Sequence, residues 1–577
     1  MKKTINLNGS WKFAPTFDQK PTNNHHAIDT TVPLYALTDL VRTDWEDVTV
    51  PGVWQMYAEK YSVFEGVCWF YREFEVESLK DNLFAELVCK GINYKATIYI
   101  NGKILGVHES AYTEFSFDIS KFLIKGKNSI SIEVDNRPTV VKWPNDWGYG
   151  VFGGIHRDIF INVYEDKYIY DIELTPDYDL ETQKGVLSFS AKGTADEVCL
   201  KLEDNKDYII KNDNGEFKGT FKYDVSIWSP ETPELYKLSV LVGDEIYEEN
   251  NIGFRNITAK NREFLLNGKP IELKGACYLC DSPVTGLAMD KAELKKDLIS
   301  MKKANVNAIR THYPMSDSFY ELCDEMGFLV WIEPNIYCSK PDVSETNTVF
   351  NQEDFIEVAV SMTIEMVKGA RKFASVSIYG IGNECNTDHP ESVPFFEKIS
   401  DAVRKSDASR PVGYATLYGQ IGKIAHTVDI VGINSYYGWY DVLDEVGKTG
   451  IKEERNGVMR TVDLTEFHKL IEKVDSEIPS DKVMLITEFG ADSTPGYISP
   501  DCALWSEDYH AQVIEKSIEA MREHKFISGF FVFAFTDYHD PSKPLNGRWN
   551  GFNLKGMLRF DRQIKLPYYA LQKMYSK

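Results

Sequence analysis

The chain contains 577 residues, of which 43% are hydrophobic and 13% are aromatic, and its formal net charge is −23. A chain of this length is predicted to fold as about three or four domains. The acidic balance argues against a nucleic-acid or anionic-membrane partner, because no basic surplus is present to neutralise phosphates. An anionic ligand would therefore need a dedicated local cation.

The start of the chain and the cysteines bear on its location. The segment MKKTINLNGSWKF has two lysines but no apolar core, so it does not have the pattern of a secretory signal. The sequence has no run of about 18 apolar residues, so we expect no membrane span. The nine scattered cysteines are typical of reduced thiols. We therefore expect a cytoplasmic protein.

The first half of the chain has the alternating pattern of β-strands. The segments KATIYINGKIL and NSISIEVDN alternate apolar and polar residues, and Asn101-Gly102 is a strong hairpin signal. Turn residues recur every eight to twelve positions, as is typical of sandwiches. A break near residues 165–168 separates this stretch from a second one that runs to about Arg255. We predict two antiparallel β-sandwiches, at residues 1–167 and 168–258.

From about Phe264 onwards, short apolar runs alternate with helical segments. The segment DKAELKKDLISM places its apolar residues on one helical face, and Asp290 with Glu293 forms a predicted capping box. Eight strands are predicted, with the sequences IELKGACYL, AIRTHY, FLVWIEP, SVSIYGIGNE, PVGYAT, DIVGINSY, VMLITEFG and SGFFVFAFTD. Eightfold strand–helix alternation over residues 259–577 predicts a closed (β/α)8 barrel.

Several predicted barrel strands end in acids, at the face where such barrels place their chemistry. Glu384 ends the fourth strand and Glu488 the seventh, and Glu333, Asp281 and Asp537 lie at other strand ends. Taken alone, any one of these is more often a structural acid. A pair facing each other across the mouth suits glycosidic bond cleavage, with retention at about 5–5.5 Å and inversion at a wider separation. Partial desolvation of Glu384 would raise its pKa enough to hold a proton.

The motifs around these two acids resemble a known family. GIGNEC and ITEFG resemble the paired glutamates of the retaining clan A glycosidases, and residues 307–333 resemble a signature stretch of glycoside hydrolase family 2. The segments VPGVWQ, WFYREFEV, GGIHRDIFI and WSPETPELY are similar to the sandwich domains of that family. The resemblance implies an N-terminal jelly-roll-like, sugar-binding-like β-sandwich, an immunoglobulin-like β-sandwich and a C-terminal (β/α)8 TIM barrel.

The same resemblance implies roles for residues around the barrel mouth. Glu384 would be the acid/base and Glu488 the nucleophile. Asn383 would hydrogen-bond the sugar 2-hydroxyl. Arg310 would keep the nucleophile ionised, and Tyr436 in NSYYGWY would orient it. Without the resemblance, NSYYGWY is better interpreted as an aromatic barrel rim.

The segment NGFNLKGM bears on the choice of sugar. In an extended chain Asn553 and Lys555 point to the same face, where an amide and an ammonium could bind a carboxylate. Such a turn is usually only surface. Its position nevertheless resembles that of the Asn-x-Lys pair that marks hexuronide recognition in the β-glucuronidases of family 2. By the same resemblance, Arg548 and Tyr440 would add further carboxylate contacts.

The sequence also departs from the family pattern. After the first barrel strand the family has Gly-x-x-Arg-His-Glu-Asp, whereas this chain has GACYLCDS, so that only Asp281 remains to bind the distal sugar hydroxyls. Phe533 stands where Trp is usual. These changes leave glucuronide and galacturonide both open. The hypotheses are an exo-β-glucuronidase, a β-galacturonidase or β-galactosidase, and a carbohydrate-binding protein with an inactive barrel.

No cofactor or metal is predicted. Cys277 and Cys280 suggest a metal pair, but a zinc site needs four ligands and no second pair has suitable spacing. The expected partner is a glucuronide or other hexuronide substrate, with no nucleic acid and no membrane. Relatives often form tetramers, so the resemblance implies a homo-oligomer.

Overall fold

The structure is a computed structural model that describes residues 2–16, 45–62, 64–79, 83–137, 152–338, 342–344, 347–441, 462–540 and 551–577. Two sets of antiparallel sheets are followed along the chain by a closed eight-stranded barrel, so the predicted fold class is confirmed. The domain boundaries at residues 167/168 and 258/259 stay predictions. Among the described residues, no helix has the length and apolarity needed to cross a bilayer.

The first sandwich pairs a four-stranded sheet, β1-β12-β5-β9, with a six-stranded sheet, β3-β2-β4-β10-β7-β8, and a short β6-β11 pair lies beside them. Asn101 and Gly102 form the two-residue turn between β7 and β8, both with positive φ, as their side chains allow. The strands are Lys2–Asn6 (β1), Gly9–Pro15 (β2), Glu46–Val50 (β3), Val67–Val76 (β4), Phe84–Cys89 (β5), Ile92–Asn93 (β6), Lys95–Ile100 (β7), Lys103–Glu109 (β8), Phe115–Asp118 (β9), Gly126–Asp135 (β10), Gly154–Ile155 (β11) and Ile159–Tyr164 (β12).

The second sandwich packs a three-stranded sheet, β13-β14-β17, on a four-stranded sheet, β16-β15-β18-β19. Its strands are Ile169–Asp179 (β13), Lys184–Gly193 (β14), Glu197–Leu202 (β15), Tyr208–Lys211 (β16), Glu216–Tyr223 (β17), Tyr236–Val242 (β18) and Glu245–Ile252 (β19). A small sheet of Ile257–Lys260 (β20), Glu263–Leu266 (β21) and Lys269–Pro270 (β22) leads into the barrel.

The barrel closes through eight parallel strands in chain order, and all eight predicted strands are present. Almost every residue of these strands is buried, because one face meets the barrel interior and the other meets the helices. The barrel strands are Leu273–Cys277 (β23), Ala308–Arg310 (β24), Leu329–Ile332 (β25), Val376–Asn383 (β28), Val412–Leu417 (β29), Ile430–Asn434 (β30), Val483–Phe489 (β31) and Ile527–Val532 (β32). Two short hairpins pair Asp342–Ser344 (β26) with Asn347–Thr348 (β27) and Tyr538–His539 (β33) with Phe552–Asn553 (β34).

Helices cover the outside of the barrel. In the described chain they are Lys291–Lys303 (α1), Asp317–Met326 (α2), Glu353–Ala370 (α3), Ser392–Ser406 (α4), Thr465–Glu477 (α5), Glu507–Glu523 (α6) and Leu566–Tyr575 (α7). The predicted capping box is confirmed at the start of α1, where the Asp290 carboxylate accepts from the backbone of Glu293 and the Glu293 carboxylate accepts from the backbone of Asp290.

Contacts from both sandwiches reach the barrel near β24 and β28. Arg157 of the first sandwich donates to the Pro314 carbonyl at 2.6 Å, in the loop that leaves β24. The fully buried Arg255, which follows the second sandwich, donates to the Ala374 and Val376 carbonyls at the start of β28. Trp228 is also fully buried and donates to the Asp324 carbonyl at the end of α2. The sandwiches therefore support the two strands that carry Arg310 and Glu384.

Candidate active site

Four barrel strands bring the central polar residues together. Arg310 ends β24, Asn383 ends β28 with Glu384 directly after it, Asn434 ends β30, and Glu488 lies near the end of β31. Because the carboxyl ends of parallel barrel strands meet at one mouth, residues far apart in the sequence become neighbours. We call Arg310, Asn383, Glu384, Asn434 and Glu488, with the groups that bind them, the glutamate cluster.

Arg310 is the centre of this cluster and is fully buried. One guanidinium nitrogen donates to Glu488 Oε1 at 2.8 Å. The other donates to Glu333 Oε1 and to Asn383 Oδ1, both at 2.8 Å. Burial raises the pKa of Glu333, against the effect of the Arg310 charge. Arg310 therefore links the acids that end the third and seventh strands to the amide beside Glu384.

Glu488 is held as a carboxylate by three donors. Besides Arg310, His312 Nε2 lies 3.1 Å from Glu488 Oε1, and Tyr436 donates its hydroxyl to Glu488 Oε2 at 2.6 Å. Burial by itself would raise the pKa of Glu488, but the hydrogen bond from His312, the Arg310 charge and the Tyr436 hydroxyl outweigh it and lower the pKa to about 2. Glu488 is thus ionised and oriented at neutral pH.

Glu384 is positioned by Asn434. The side-chain nitrogen of Asn434 donates to Glu384 Oε1 at 2.7 Å and to Asn383 Oδ1 at 3.0 Å, while Thr487 donates to Asn434 Oδ1 at 2.8 Å. Glu384 also has a left-handed backbone, with φ of 49°, which for a residue other than glycine costs about 1–3 kcal/mol. Such strain is typical of functional sites, because the surrounding structure must hold the residue in place.

Sequence reasoning missed His312 and Asn434. His312 lies two residues after Arg310 in the predicted second strand, and Asn434 is the first residue of the NSYYGWY motif. Their proximity to predicted site residues was the only available signal. Phe533, the residue that departs from the family Trp, packs against both His312 and Tyr436, with ring centroids 5.6 Å and 6.4 Å away.

The Asn-x-Lys segment lies beside the glutamate cluster. Lys555 Nζ is 5.5 Å from the ring centre of Tyr436, whose hydroxyl binds Glu488, and it donates to the Tyr440 hydroxyl at 2.9 Å. The ammonium is also paired with Asp492 at 2.5 Å, and both of these side chains are 1% exposed. The cation predicted for a substrate carboxylate therefore lies beside the tyrosine that binds Glu488, but it already has an acidic neighbour.

A second buried pair fixes the backbone of this segment. Lys565 donates to the Leu554 carbonyl at 2.8 Å and pairs with Asp537 at 3.1 Å. Asp537 in turn accepts from the Gly556 backbone at 2.8 Å. Burial raises the pKa of Asp537 to about 6. Asp537, which the sequence placed among the possible strand-end catalysts, thus has a structural role in holding the segment.

The segment after the first barrel strand contains Asp281 and the residues that depart from the family pattern. Asp281 is buried, and its carboxylate accepts from the His539 backbone at 2.8 Å and lies 3.1 Å from His539 Nδ1. Tyr278, which replaces the family Arg, is directed away from the mouth and donates to Asp297 on α1 at 2.7 Å. Cys277 donates to the Thr487 carbonyl and Cys280 to the Leu287 carbonyl, so the two thiols have different partners.

One predicted site residue, Arg548, lies outside the described residues. The remaining predicted site residues fall into three groups: the glutamate cluster with Tyr436, the Lys555 segment with Asn553 and Tyr440, and Asp281 with its partner His539.

Comparisons with known proteins identify the family of this chain. Residues 257–577, more than half of the chain, match the profile described as "Glycosyl hydrolases family 2, TIM barrel domain". Residues 11–145 match the profile described as "Glycosyl hydrolase 2 galactose-binding domain-like". The chain belongs to glycoside hydrolase family 2. It is therefore a glycosidase, and the family 2 resemblance predicted from its motifs is confirmed.

Relatives within family 2 carry different names. A β-glucuronidase of Paenibacillus borealis is 24% identical, over 99% of this chain and 96% of its own length. A β-galactosidase of Streptococcus thermophilus is 27% identical, over 72% of this chain but only 43% of its own length. Among solved structures, a family 2 β-galacturonidase from Eisenbergiella tayi bound to galacturonate is 25% identical, covers all of this chain and 97% of its own, and has a TM-score of 0.81.

Proposed function

We propose that the chain is a retaining exo-β-glucuronidase, which hydrolyses β-D-glucuronides by double displacement through a glycosyl-enzyme intermediate. The observation that carries the proposal is a chain of contacts: Lys555 lies over the Tyr436 ring, and Tyr436 binds Glu488. A cation suited to a sugar carboxylate and an ionised carboxylate suited to attack thus lie against the same tyrosine. The β-glucuronidase relatives support the same proposal.

In the first step, Glu488 attacks the anomeric carbon while Glu384 gives its proton to the leaving glycosidic oxygen. In the second step, Glu384 takes a proton from water, the resulting hydroxyl attacks the same carbon, and Glu488 leaves. The low pKa of Glu488 suits the nucleophile because no proton must be lost before attack. The Asn434 contact at Glu384 Oε1 helps to fix the orientation of this carboxyl group.

Asn383 is suited to bind the sugar 2-hydroxyl. Its side-chain oxygen accepts from Arg310 and from Asn434, which fixes the amide orientation. Its buried NH2 group has no hydrogen-bond partner within the described part of the protein. A buried donor without a partner costs about 1–3 kcal/mol, so a substrate hydroxyl that accepts from it would relieve this cost.

The Asn553-x-Lys555 segment is suited to bind the sugar carboxylate. Asn553 is nearly buried, and its side-chain oxygen accepts from the Lys555 backbone at 3.2 Å, which leaves the NH2 group as a donor for a ligand. The ammonium of Lys555 can donate to the same carboxylate. A β-galacturonidase remains the second candidate, because both sugars have this carboxylate and the altered Tyr278–Cys280 segment lies beside the predicted C4 contact, Asp281.

Initial rates on aryl β-glucuronide, β-galacturonide and β-galactoside test this assignment. We expect the glucuronide to be hydrolysed fastest, and NMR of the first-formed product to show the β-anomer of glucuronic acid. A faster galacturonide would move the assignment to the second candidate. A faster galactoside, or an α-anomer formed first, would overturn the carboxylate site or the double displacement, respectively.

We further propose that the enzyme works in the cytoplasm as a homo-oligomer, with a tetramer as the first candidate. The nine cysteines, none of them in a disulfide in this structure, support a reducing location. Fractionation of the source cells and light scattering of the purified protein would test the two statements separately.

A further inference from the structure

The buried ion pair between Lys555 and Asp492 is not part of the pattern that predicted the site. An ammonium has three N–H donors. In the described structure two of them are used, one on Asp492 Oδ2 at 2.5 Å and one on the Tyr440 hydroxyl at 2.9 Å. One N–H of Lys555 therefore remains for a ligand, and the other two fix its direction.

Asp492 is itself held firmly. Trp439 donates its indole N–H to Asp492 Oδ2 at 3.0 Å, and the Leu554 backbone donates to Asp492 Oδ1 at 3.1 Å. Asp492 is 1% exposed and lies four residues after Glu488, on the segment that leaves β31. The acid that orients the ammonium is thus tied to the strand of the nucleophile and to the Asn-x-Lys backbone.

We propose that Asp492 is a positioning and specificity-determining residue, which holds the Lys555 ammonium so that its remaining N–H meets the carboxylate of a hexuronide. This inference rests on the proposed function. The substrate carboxylate and Asp492 then share one cation. Asp492 supplies the counter-charge while the site is empty, since a buried ammonium with no anion would favour the neutral amine.

Among the residues that the structure describes, the other groups around Lys555 do not replace this counter-charge. Burial raises the pKa of Tyr436 well above its usual value, so this phenol stays neutral, and Tyr440 accepts a hydrogen bond from the ammonium with its hydroxyl oxygen. His510 on α6 is buried, and this burial with the Lys565 and Lys555 charges lowers its pKa well below the usual value, so it stays neutral. Lys565 is a further cation, and Asp537 is paired with it.

The test uses the pH dependence of Asp492→Asn, which keeps the side-chain shape and removes the charge. We would measure kcat/KM for an aryl β-glucuronide and the Kd of D-glucuronate from pH 6 to pH 9. In Asp492→Asn both should worsen by about tenfold or more over this range, beyond any change in the parent enzyme, because the ammonium is lost as pH rises. The double variant Asp492→Asn, Lys555→Arg should show no such loss, since guanidinium stays charged.

Two controls separate positioning from general damage. Asp537→Asn removes the acid of the neighbouring buried pair, and its pH profile should run parallel to the parent profile whatever its absolute rate. Asp492→Glu keeps a carboxylate and covers the case in which Asp492→Asn fails to fold. It should bind glucuronate more weakly with an unchanged profile shape.

A parallel profile in folded Asp492→Asn would overturn the inference, as would a steeper profile in Asp492→Glu. A parent enzyme that neither binds glucuronate nor hydrolyses glucuronides would instead overturn the proposed function, so the two failures are distinguishable.

Discussion

Glu488 and Lys555 are buried groups of opposite charge, and the protein surrounds them differently. Glu488 receives donors from Arg310, His312 and Tyr436, so its negative charge is stabilised without help from a ligand. Within the described part of the chain, Lys555 donates to one acid, Asp492, and to one phenol, Tyr440. The difference fits the separate tasks of the proposed function, in which Glu488 must stay ionised to react and Lys555 must keep a donor available to bind.

The largest expected effect comes from removing the charge of Glu488. Glu488→Gln should lower kcat by about 10⁴-fold or more on every substrate, as is usual when a catalytic nucleophile is lost. Rates on an activated aryl glycoside check this, with circular dichroism to confirm folding. A variant with near-parental activity would end the assignment of Glu488 as nucleophile.

Lys555→Met removes the buried cation with which Glu488 was compared. We expect kcat/KM for the glucuronide to fall by about a hundredfold or more, because one partner of a buried charge pair is lost. The rate on a neutral aryl glucoside should fall much less. The matched control is Lys555→Met with Asp492→Asn, which removes the orphaned acid and should recover stability but not glucuronide activity. Equal losses on both substrates would contradict a carboxylate contact.

A smaller effect concerns the acid side of the pH profile. His312→Leu removes a hydrogen bond that lowers the pKa of Glu488, so that pKa should rise from about 2 and activity should be lost at a higher pH, by about one unit. A lowered pKa means that Glu488 adds stability above its unfolded value near 4.5, and that this is lost as pH falls towards 2. The variant should therefore show a weaker decline of Tm between pH 5 and pH 3. If the loss of activity at acidic pH occurs at the same pH in the variant, His312 does not control the pKa of Glu488.

The smallest expected effect concerns Tyr278, which lies outside the surroundings of Glu488 and Lys555. Tyr278 donates to Asp297 beneath α1, and Asp297 also pairs with Arg562. Tyr278→Phe should cost about 1 kcal/mol in unfolding free energy, the usual value of one hydrogen bond. The ratio of glucuronide to galacturonide rates should stay unchanged. A shifted ratio would mean that Tyr278 reaches the sugar in the complex, against its position in the structure.

Much of the strand and helix order could be predicted because each element has its own local sequence pattern. The apolar runs ending in Glu384 and Glu488 predicted strands four and seven, and the Asp290 capping box predicted the start of α1. Local patterns do not reveal which remote side chains meet. Asp492 and Lys555 are 63 positions apart in the sequence, and the residues next to each one do not indicate that the two side chains pair.

Burial also explains the partners of two further strand-end acids. Asp281 and Asp537 both follow barrel strands, and position alone made each a possible catalyst. In the structure one pairs with His539 and the other with Lys565, because a buried acid needs a partner wherever the fold provides one. The three donors that keep Glu488 ionised likewise lie outside its own strand.

Arg255 limits how small this enzyme could be made. The Arg255 guanidinium donates to two carbonyls where β28 begins, and the buried Trp228 donates to the Asp324 carbonyl near the end of α2. Residues that precede the barrel therefore complete the end of the barrel opposite its mouth. A minimal fragment that starts at residue 259 would expose these carbonyls and an apolar hollow to water, at the opposite end of the strand that leads to Glu384. A shortened enzyme would therefore need new residues that replace Arg255 and Trp228 at these contacts before the sandwiches could be deleted.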